Sequence, residues 1–348
     1  MRRSGFRWAA LIWIILVLCL AGSAASQAHM SAHFFYVGQA EAVLLKGPDF
    51  AVLVDAGDVG RYDVVPLLRR AGVEELDVVI ITHPHGDHMG QLKEVVEAFP
   101  VKEVWMSGYE HPTPVFEEAI DALLESTAGY YEPRAGERIP IGSLVLEILN
   151  PLEVTGDIHG ACLAVRAVYD DFALVLTGDI EVPTEEEIVK RGADVSAQVL
   201  QLGHHGSQTS TGSAFLEAVN PEVAVYSAGI CNPYGHPHIS VVQRILQRGI
   251  TLYGTDAYGT IVVETDGTDY WISTERVPEL YGGVFGQIEI NRAPYEELLK
   301  IVQIGAKRAG EILRLRPFSS LDDLLKVPGI GPATLEAIKA QGIAFVGE

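Results

Sequence analysis

The sequence predicts a large mixed body of the α/β or α+β class, followed by a small all-α domain. Three observations predict it. Between residues 41 and 264, apolar runs of strand length alternate with segments of helical periodicity. Histidines and acids gather just after several of those runs. Beyond residue 287 the chain repeats itself as short amphipathic helices. The 348 residues suffice for two domains and a sizeable core.

The first element is a leader. Arg2, Arg3 and Arg7 precede the apolar run Trp8 to Ala21, and small residues follow to Ala28. This order predicts a secretory signal peptide over 1–28, cleaved after Ala25 or Ala28. A retained anchor is the alternative, because the run is near the lower limit for a membrane span. The expected location is therefore secreted or extracellular and membrane-anchored. Apolar runs at 41–46, 51–55, 76–82, 102–106, 143–149, 162–168, 172–177, 198–202, 222–227 and 260–264 predict strands. Segments 91–99, 114–125, 183–191, 213–219 and 239–248 predict helices. Of the three cysteines, Cys19 falls in the leader. Cys162 and Cys231 remain, and two small buried residues are the preferred reading over a disulfide, whose geometry a sequence cannot give.

The strand over 76–82 runs into Thr82-His83-Pro84-His85-Gly86-Asp87-His88. Pro84 and Gly86 stop regular structure, so the strand must end in a loop. That loop carries His83, His85, Asp87 and His88. Neutral imidazoles with a carboxylate suit zinc, manganese or iron, and the tight spacing lets neighbouring ions share one loop. Further segments carry the same residue types: Asp55-Ala56-Gly57, His159, Thr177-Gly178-Asp179, Gly203-His204-His205-Gly206-Ser207 and Tyr234-Gly235-His236-Pro237-His238.

Together these segments resemble the metallo-β-lactamase superfamily. With Phe34-Phe35-Tyr36-Val37-Gly38-Gln39, they resemble in particular the hydrolase domain of the ComEC competence proteins, over residues 31–275. The resemblance implies an αββα sandwich. It implies two divalent metal ions, zinc or manganese. His83, His85 and His159 would hold one, Asp87, His88 and His205 the other, and Asp179 would bridge them. Asp55 would support the ligand loop from behind. Two such ions lower the pKa of a shared water and stabilise charge on a phosphoryl transition state. Asp87 would orient the attacking oxygen. His204 would donate to an oxyanion, and His236 and His238 would bind phosphate or protonate the leaving group. Structural readings stand beside these. His159 could be a loop residue, His204 and His205 could exchange roles, and His236 and His238 could cap the helix near Ser240. His111, in a polar loop, reads as solvent-exposed. This chain departs from the competence pattern at Tyr36, Ala40 and Glu41, and it has His159-Gly160-Ala161-Cys162 where an Asn-x-x-Ser is usual.

The tail, 287–348, repeats at an offset of 26: Glu296 to Gly305 lines up with Asp322 to Gly331. Each unit reads as helix, glycine-containing hairpin, helix. This resembles the paired helix-hairpin-helix domain of the ComEA type, joined by a linker over 276–286. The resemblance implies DNA as a partner. Backbone N–H groups at Gly305, Gly329 and Gly331 would approach a phosphate, flanked by Lys307 and Arg308. Gln303 replaces the first glycine of the first hairpin, so the second hairpin is the stronger candidate.

Charge bears on function. The whole chain carries −21, but the tail is neutral, with eight basic and eight acidic residues. Residues 29–286 hold 14 basic and 38 acidic residues, a net of −24. Such a body repels a polyanion and argues against a processive nuclease. Three functions are therefore in view. The first is a secreted metal-dependent phosphodiesterase acting on DNA. The second is a hydrolase of smaller phosphodiesters, such as phosphocholine groups of the cell envelope. The third is a competence-associated DNA-binding protein without catalysis.

Overall fold

The computed structural model describes residues 29–276 and 288–347, apart from 61, 155, 231 and 342. The predicted leader, Cys19, Cys231 and nearly all of the expected linker lie outside the described residues. Among the described residues, no helix is long and apolar enough to cross a membrane.

The body is two stacked sheets with helices on both outer faces. The first sheet has the order β15-β14-β1-β2-β3-β4-β5-β6, and the second β13-β12-β11-β10-β9-β8-β7. Strands β1 (Met30–Phe34), β2 (Val43–Lys46) and β3 (Ala51–Val54) form an antiparallel meander. β4 (Leu76–Ile80), β5 (Val101–Trp105) and β6 (Gly129–Tyr131) then add in parallel. The second sheet repeats this plan. β7 (Arg138–Ile141), β8 (Leu144–Asn150), β9 (Ala164–Tyr169) and β10 (Phe172–Leu176) are antiparallel. β11 (Val199–Gln201), β12 (Val223–Tyr226) and β13 (Thr251–Gly254) follow in parallel. β14 (Ile261–Thr265) and β15 (Tyr270–Thr274) return to the edge of the first sheet beside β1.

Alternation along the strands builds the layers. Val52, Val54, Val78 and Ile80 face the second sheet, where they meet Leu146, Val165, Leu174 and Val199. Leu53, Val79 and Ile81 face outward onto the helices Val64–Arg70 and Leu92–Ala98. Val175, Leu200 and Ala224 do the same for the second sheet. Central strands buried on both faces read as unbroken apolar runs, which is why the sequence reveals them. Most of the elements it conceals are edges or interruptions; β1, an interior strand between β14 and β2, is the exception. Gly129–Tyr131 is exposed throughout, Arg138–Ile141 contains Pro140 on an edge strand, and the helix Val64–Arg70 contains Pro66.

The tail folds around its own core. The aligned pairs Leu298 and Leu324, Ile301 and Val327, Ile304 and Ile330, and Ile312 and Ile338 are all buried there. The repeat is therefore a packing repeat, with the same position buried in each unit. The helices Tyr295–Leu298 and Ala306–Leu315 form the first unit, and a 3-10 segment, Leu321–Lys326, with the helix Pro332–Gln341 forms the second. The domain is not purely helical: β16 (Ile288–Glu289) pairs in parallel with β17 (Ala344–Phe345).

Candidate metal centre and helix-hairpin-helix tail

The parallel strands end together, and the site is built where they end. β3 delivers Asp55, β4 the loop 82–89, β10 delivers Asp179, β11 the 3-10 turn Gly203–Gly206, and β12 delivers Ser227.

Asp55 is fully buried and takes a left-handed backbone, φ 59. Its carboxylate accepts from Thr82 N at 2.8 Å, from Thr82 Oγ1 at 2.9 Å, and faces His88 Nδ1 at 2.7 Å. The opposite ring atom, His88 Nε2, thus points into the cluster, 3.4 Å from Asp179 Oδ1. His205 is fixed likewise: Nδ1 meets the Ser227 carbonyl at 3.0 Å, and Nε2 lies 3.4 Å from Asp87 Oδ2. His83 turns Nδ1 to Thr82 Oγ1 at 3.2 Å and Nε2 toward Asp179 Oδ2 at 3.7 Å. Anchoring one imidazole nitrogen from behind fixes which nitrogen is free to bind a metal.

The donor atoms of His83, His85, His159 and Asp179 lie within 4.8 Å of one another, and so do those of Asp87, His88 and His205. The two sets are those the sequence predicts. Asp179 turns Oδ2 to one set and Oδ1 to the other, as a bridging carboxylate would. His88 Nε2, His159 Nε2 and His205 Nε2 are buried without a hydrogen-bond partner among the described residues. Buried imidazole nitrogens left without partners are costly, and divalent ions would satisfy them. The donor set therefore fits two such ions.

Electrostatics agree with this design. Burial opposes ionisation of Asp179 and Asp87, yet the surrounding histidines hold both carboxyls below their ordinary range. Burial alone would lower His88, but Asp179, Asp55 and Asp87 raise it well above its usual value. Burial pushes His83 well down. Burial also opposes the charge on His205, but Asp179 and Asp87 bring it to about 8.

Gly178 shows why the strand-end sequence is Thr-Gly-Asp. Its φ is +50, and a Cβ there would sit 2.7 Å from Cys162 Sγ and 2.8 Å from Thr82 Cβ. Cys162 is buried and free, and its sulfur lies 3.3 Å from Asp179 N, which donates to it. It packs under the site, as the preferred reading has it.

The remaining predicted residues divide. His204 is half-buried at the mouth, with Nε2 3.6 Å from Asp179 Oδ2 and Nδ1 3.6 Å from Glu181 Oε1. His236 lies beside it, ring centroids 5.8 Å apart. His238 is different. Its Nδ1 lies 2.7 Å from Ser240 Oγ and accepts from Ser240 N, capping the helix Ile239–Leu246. These contacts assign it a structural task, and the donor role expected of it has no support in them. His111 is also corrected, because its ring lies 5.7 Å from that of His85 rather than standing alone in solvent. Sequence reasoning missed Glu181, which reaches both His204 and His159, and it left Glu41 without a role. Glu41 is buried, accepts from Ser227 Oγ at 2.7 Å, and holds Asp87 O through its backbone N–H at 3.0 Å. Burial raises its carboxyl to about 6. Glu181 stands in no motif and Glu41 falls where the chain departs from the competence pattern, so only the fold shows what they reach.

In the tail, Gly329 is left-handed, φ +89, and Gln303, 26 residues earlier, adopts φ +60 at the same point of its own hairpin. The hairpin shape thus survives without glycine there. Gly305 and Gly331 each have open space where a Cβ would lie. Lys307 is exposed and, among the described residues, in no ion pair. Arg308 Nη1 donates to the Gln303 carbonyl and its Nε lies 3.4 Å from the Cβ position of Gly329, so it bridges the two hairpins beside which a phosphate is expected.

A two-sheet body with histidines and carboxylates converging at its strand ends has the ligand constellation of a metallo-hydrolase. Residues 35–230, more than half of the chain, match the family model of the metallo-beta-lactamase superfamily, and the chain belongs to that superfamily. Residues 284–341 match the helix-hairpin-helix motif. Competence protein ComA of Neisseria gonorrhoeae is 34% identical over 228 residues, 64% of this chain and 30% of that protein. ComE operon protein 3 of Bacillus subtilis is 30% identical over 204 residues, 58% of this chain and 26% of that protein. A deoxyribonuclease of Thioalkalivibrio is 40% identical over 70 residues, 20% of this chain and 19% of that protein. The chain thus spans less than a third of the length of the competence proteins it matches.

Proposed function

We propose that this chain is a metal-dependent phosphodiesterase that cleaves DNA outside the cell membrane, held on its substrate by the tail. The observation that carries the reading is the division of Asp179 between two complete donor sets. The histidine-lined site and the helix-hairpin-helix tail support DNA as the substrate, and the charged leader supports the location.

His83, His85, His159 and Asp179 would hold one ion, and Asp87, His88 and His205 the other. When bound, zinc or manganese supplies Lewis-acid charge for the phosphoryl oxygens and acidifies a water molecule. The chain's own groups do the rest. Asp87, partly open to solvent at the mouth, orients the attacking water as a hydrogen-bond acceptor. His204, lowered by burial and so neutral near pH 7, donates an N–H to the developing oxyanion. His236, also lowered by burial, to about 4, is a neutral donor at the leaving-group side.

The net of −24 on residues 29–286 favours a second reading, hydrolysis of small phosphodiesters with the tail docked elsewhere. The purified full chain, given DNA and a small chromogenic phosphodiester with each metal in turn, separates the two. Cleavage of both, with DNA cleavage falling steeply as salt rises, supports the first reading. Cleavage of the small ester alone supports the second.

A further inference from the structure

Tyr234 has a place in the fold that the chemistry above does not use. It is a large aromatic with 70% of its surface exposed. Its ring lies against that of His236, centroids 5.9 Å apart and planes 27° apart. The His236 ring is in turn nearly parallel to that of His205, at 6.3 Å and 23°. A line of near-parallel rings thus runs from solvent to a buried histidine of the candidate centre. The loop that bears it is pinned. Asn232 Nδ2 donates to the carbonyls of Gly229 at 3.1 Å and His236 at 2.6 Å, and Asn232 Oδ1 accepts from His236 N at 3.0 Å. His238 N donates to Gly206 O at 2.8 Å, tying the loop to the turn that carries His204 and His205. An aromatic ring on a hydrogen-bonded loop, left bare and set one histidine away from the candidate centre, is arranged to stack a flat group.

Resting on the phosphodiesterase reading, we propose that Tyr234 forms a nucleobase subsite, stacking the base of the nucleotide whose phosphate lies at the centre. Stacking of this kind tolerates every base, because each presents a π face. The tail contacts backbone and reads no base, so any preference for a base at the site belongs to the body. The subsite also gives an acidic body an uncharged means of gripping single-stranded nucleic acid.

The test uses the full chain loaded with metal and a phosphorothioate dinucleotide of thymidine, compared with the same molecule lacking one base. The base-bearing dinucleotide should bind about tenfold tighter to the unaltered protein. Tyr234→Ala should bring the two affinities together, and Tyr234→Phe should keep them apart. Metal content and the far-ultraviolet dichroism should stay unchanged, since the side chain is on the surface. Equal affinity for the two molecules in the unaltered protein would overturn the proposal, and so would an undiminished ratio in Tyr234→Ala. Hydrolysis of methyl p-nitrophenyl phosphate, which has no base, is measured alongside. Failure of that reaction with base-dependent binding intact would sink the phosphodiesterase reading and leave the stacking site standing.

Discussion

Replacing Asp55 with asparagine tests how the metal centre is supported from behind. The carboxylate accepts hydrogen bonds from Thr82 N and Thr82 Oγ1 and faces His88 Nδ1, with no exposure to water. Asparagine keeps the shape, tolerates the left-handed backbone, and can still accept from Thr82 N. It turns an N–H₂ group toward His88 Nδ1, however. That nitrogen must then accept, and the ring proton moves to Nε2, the atom aimed at Asp179. An ion must displace that proton to bind. Loss of such a partner lowers metal affinity roughly 10- to 100-fold, or about 1.4–2.7 kcal/mol. Asp55→Ala is harsher. It strands three buried groups at about 1–3 kcal/mol each and adds about 1 kcal/mol of backbone strain, which rivals the whole stability of a domain. Competition with a chelating dye measures affinity, and urea unfolding measures stability. Asp55→Asn should remain folded with weakened binding at one ion, while Asp55→Ala should lose most of its stability. Undiminished affinity at both ions in a folded Asp55→Asn would refute the reasoning.

Three further outcomes follow from other parts of the molecule. Glu185 is buried, accepts from Thr211 N at 2.6 Å and Gly212 N at 2.7 Å, and burial raises it to about 7 from 4.5. Because its folded pKa is raised, the stability it contributes is fully present below pH 4.5 and is lost as pH rises through about 7; unfolding midpoints should show a fall on the order of 3 kcal/mol, and Glu185→Gln should flatten that slope. Gly178→Ala forces a Cβ to 2.7 Å from Cys162 Sγ at positive φ, so elemental analysis should find reduced metal in a folded but less stable protein, and full loading would count against the close packing described. A Cβ at Gly331 would meet nothing within 4 Å, so Gly331→Val should leave unfolding little changed while the affinity of the full chain for duplex DNA falls; unaltered binding would remove that hairpin from the interface.

Much of the site was legible in the sequence because its ligands follow buried strands. His83, His85, Asp87 and His88 sit on one loop behind the run Leu76 to Ile81, and Asp179 follows Leu174 to Leu176. Continuous apolar runs mark such strands, and the histidines stand out after them. The tail was legible through its repeat, since four buried apolar positions recur at an offset of 26. What the sequence hid depends on long-range assembly. Glu41 meets Ser227 across 186 residues, and Glu181 reaches His204 through the packing of two separate strand ends. His238 and Arg308 carry residue types that suit catalysis and phosphate binding. Their local hydrogen bonds, to Ser240 and to the Gln303 carbonyl, also give them a task in the scaffold. The edge strand Gly129–Tyr131 lacks the apolar signal because all three of its residues are exposed.

The central claim is that two ions share Asp179 and act on a phosphodiester. Stepwise addition of Zn²⁺ or Mn²⁺ to the metal-free full chain, with hydrolysis of bis(p-nitrophenyl) phosphate followed at each step, tests it most directly. The rate should be negligible before the first equivalent and climb with the second. Asp179→Ala should neither retain two ions nor regain the rate. Full hydrolysis in excess chelator, or an Asp179→Ala protein that keeps both ions and the rate, would contradict it.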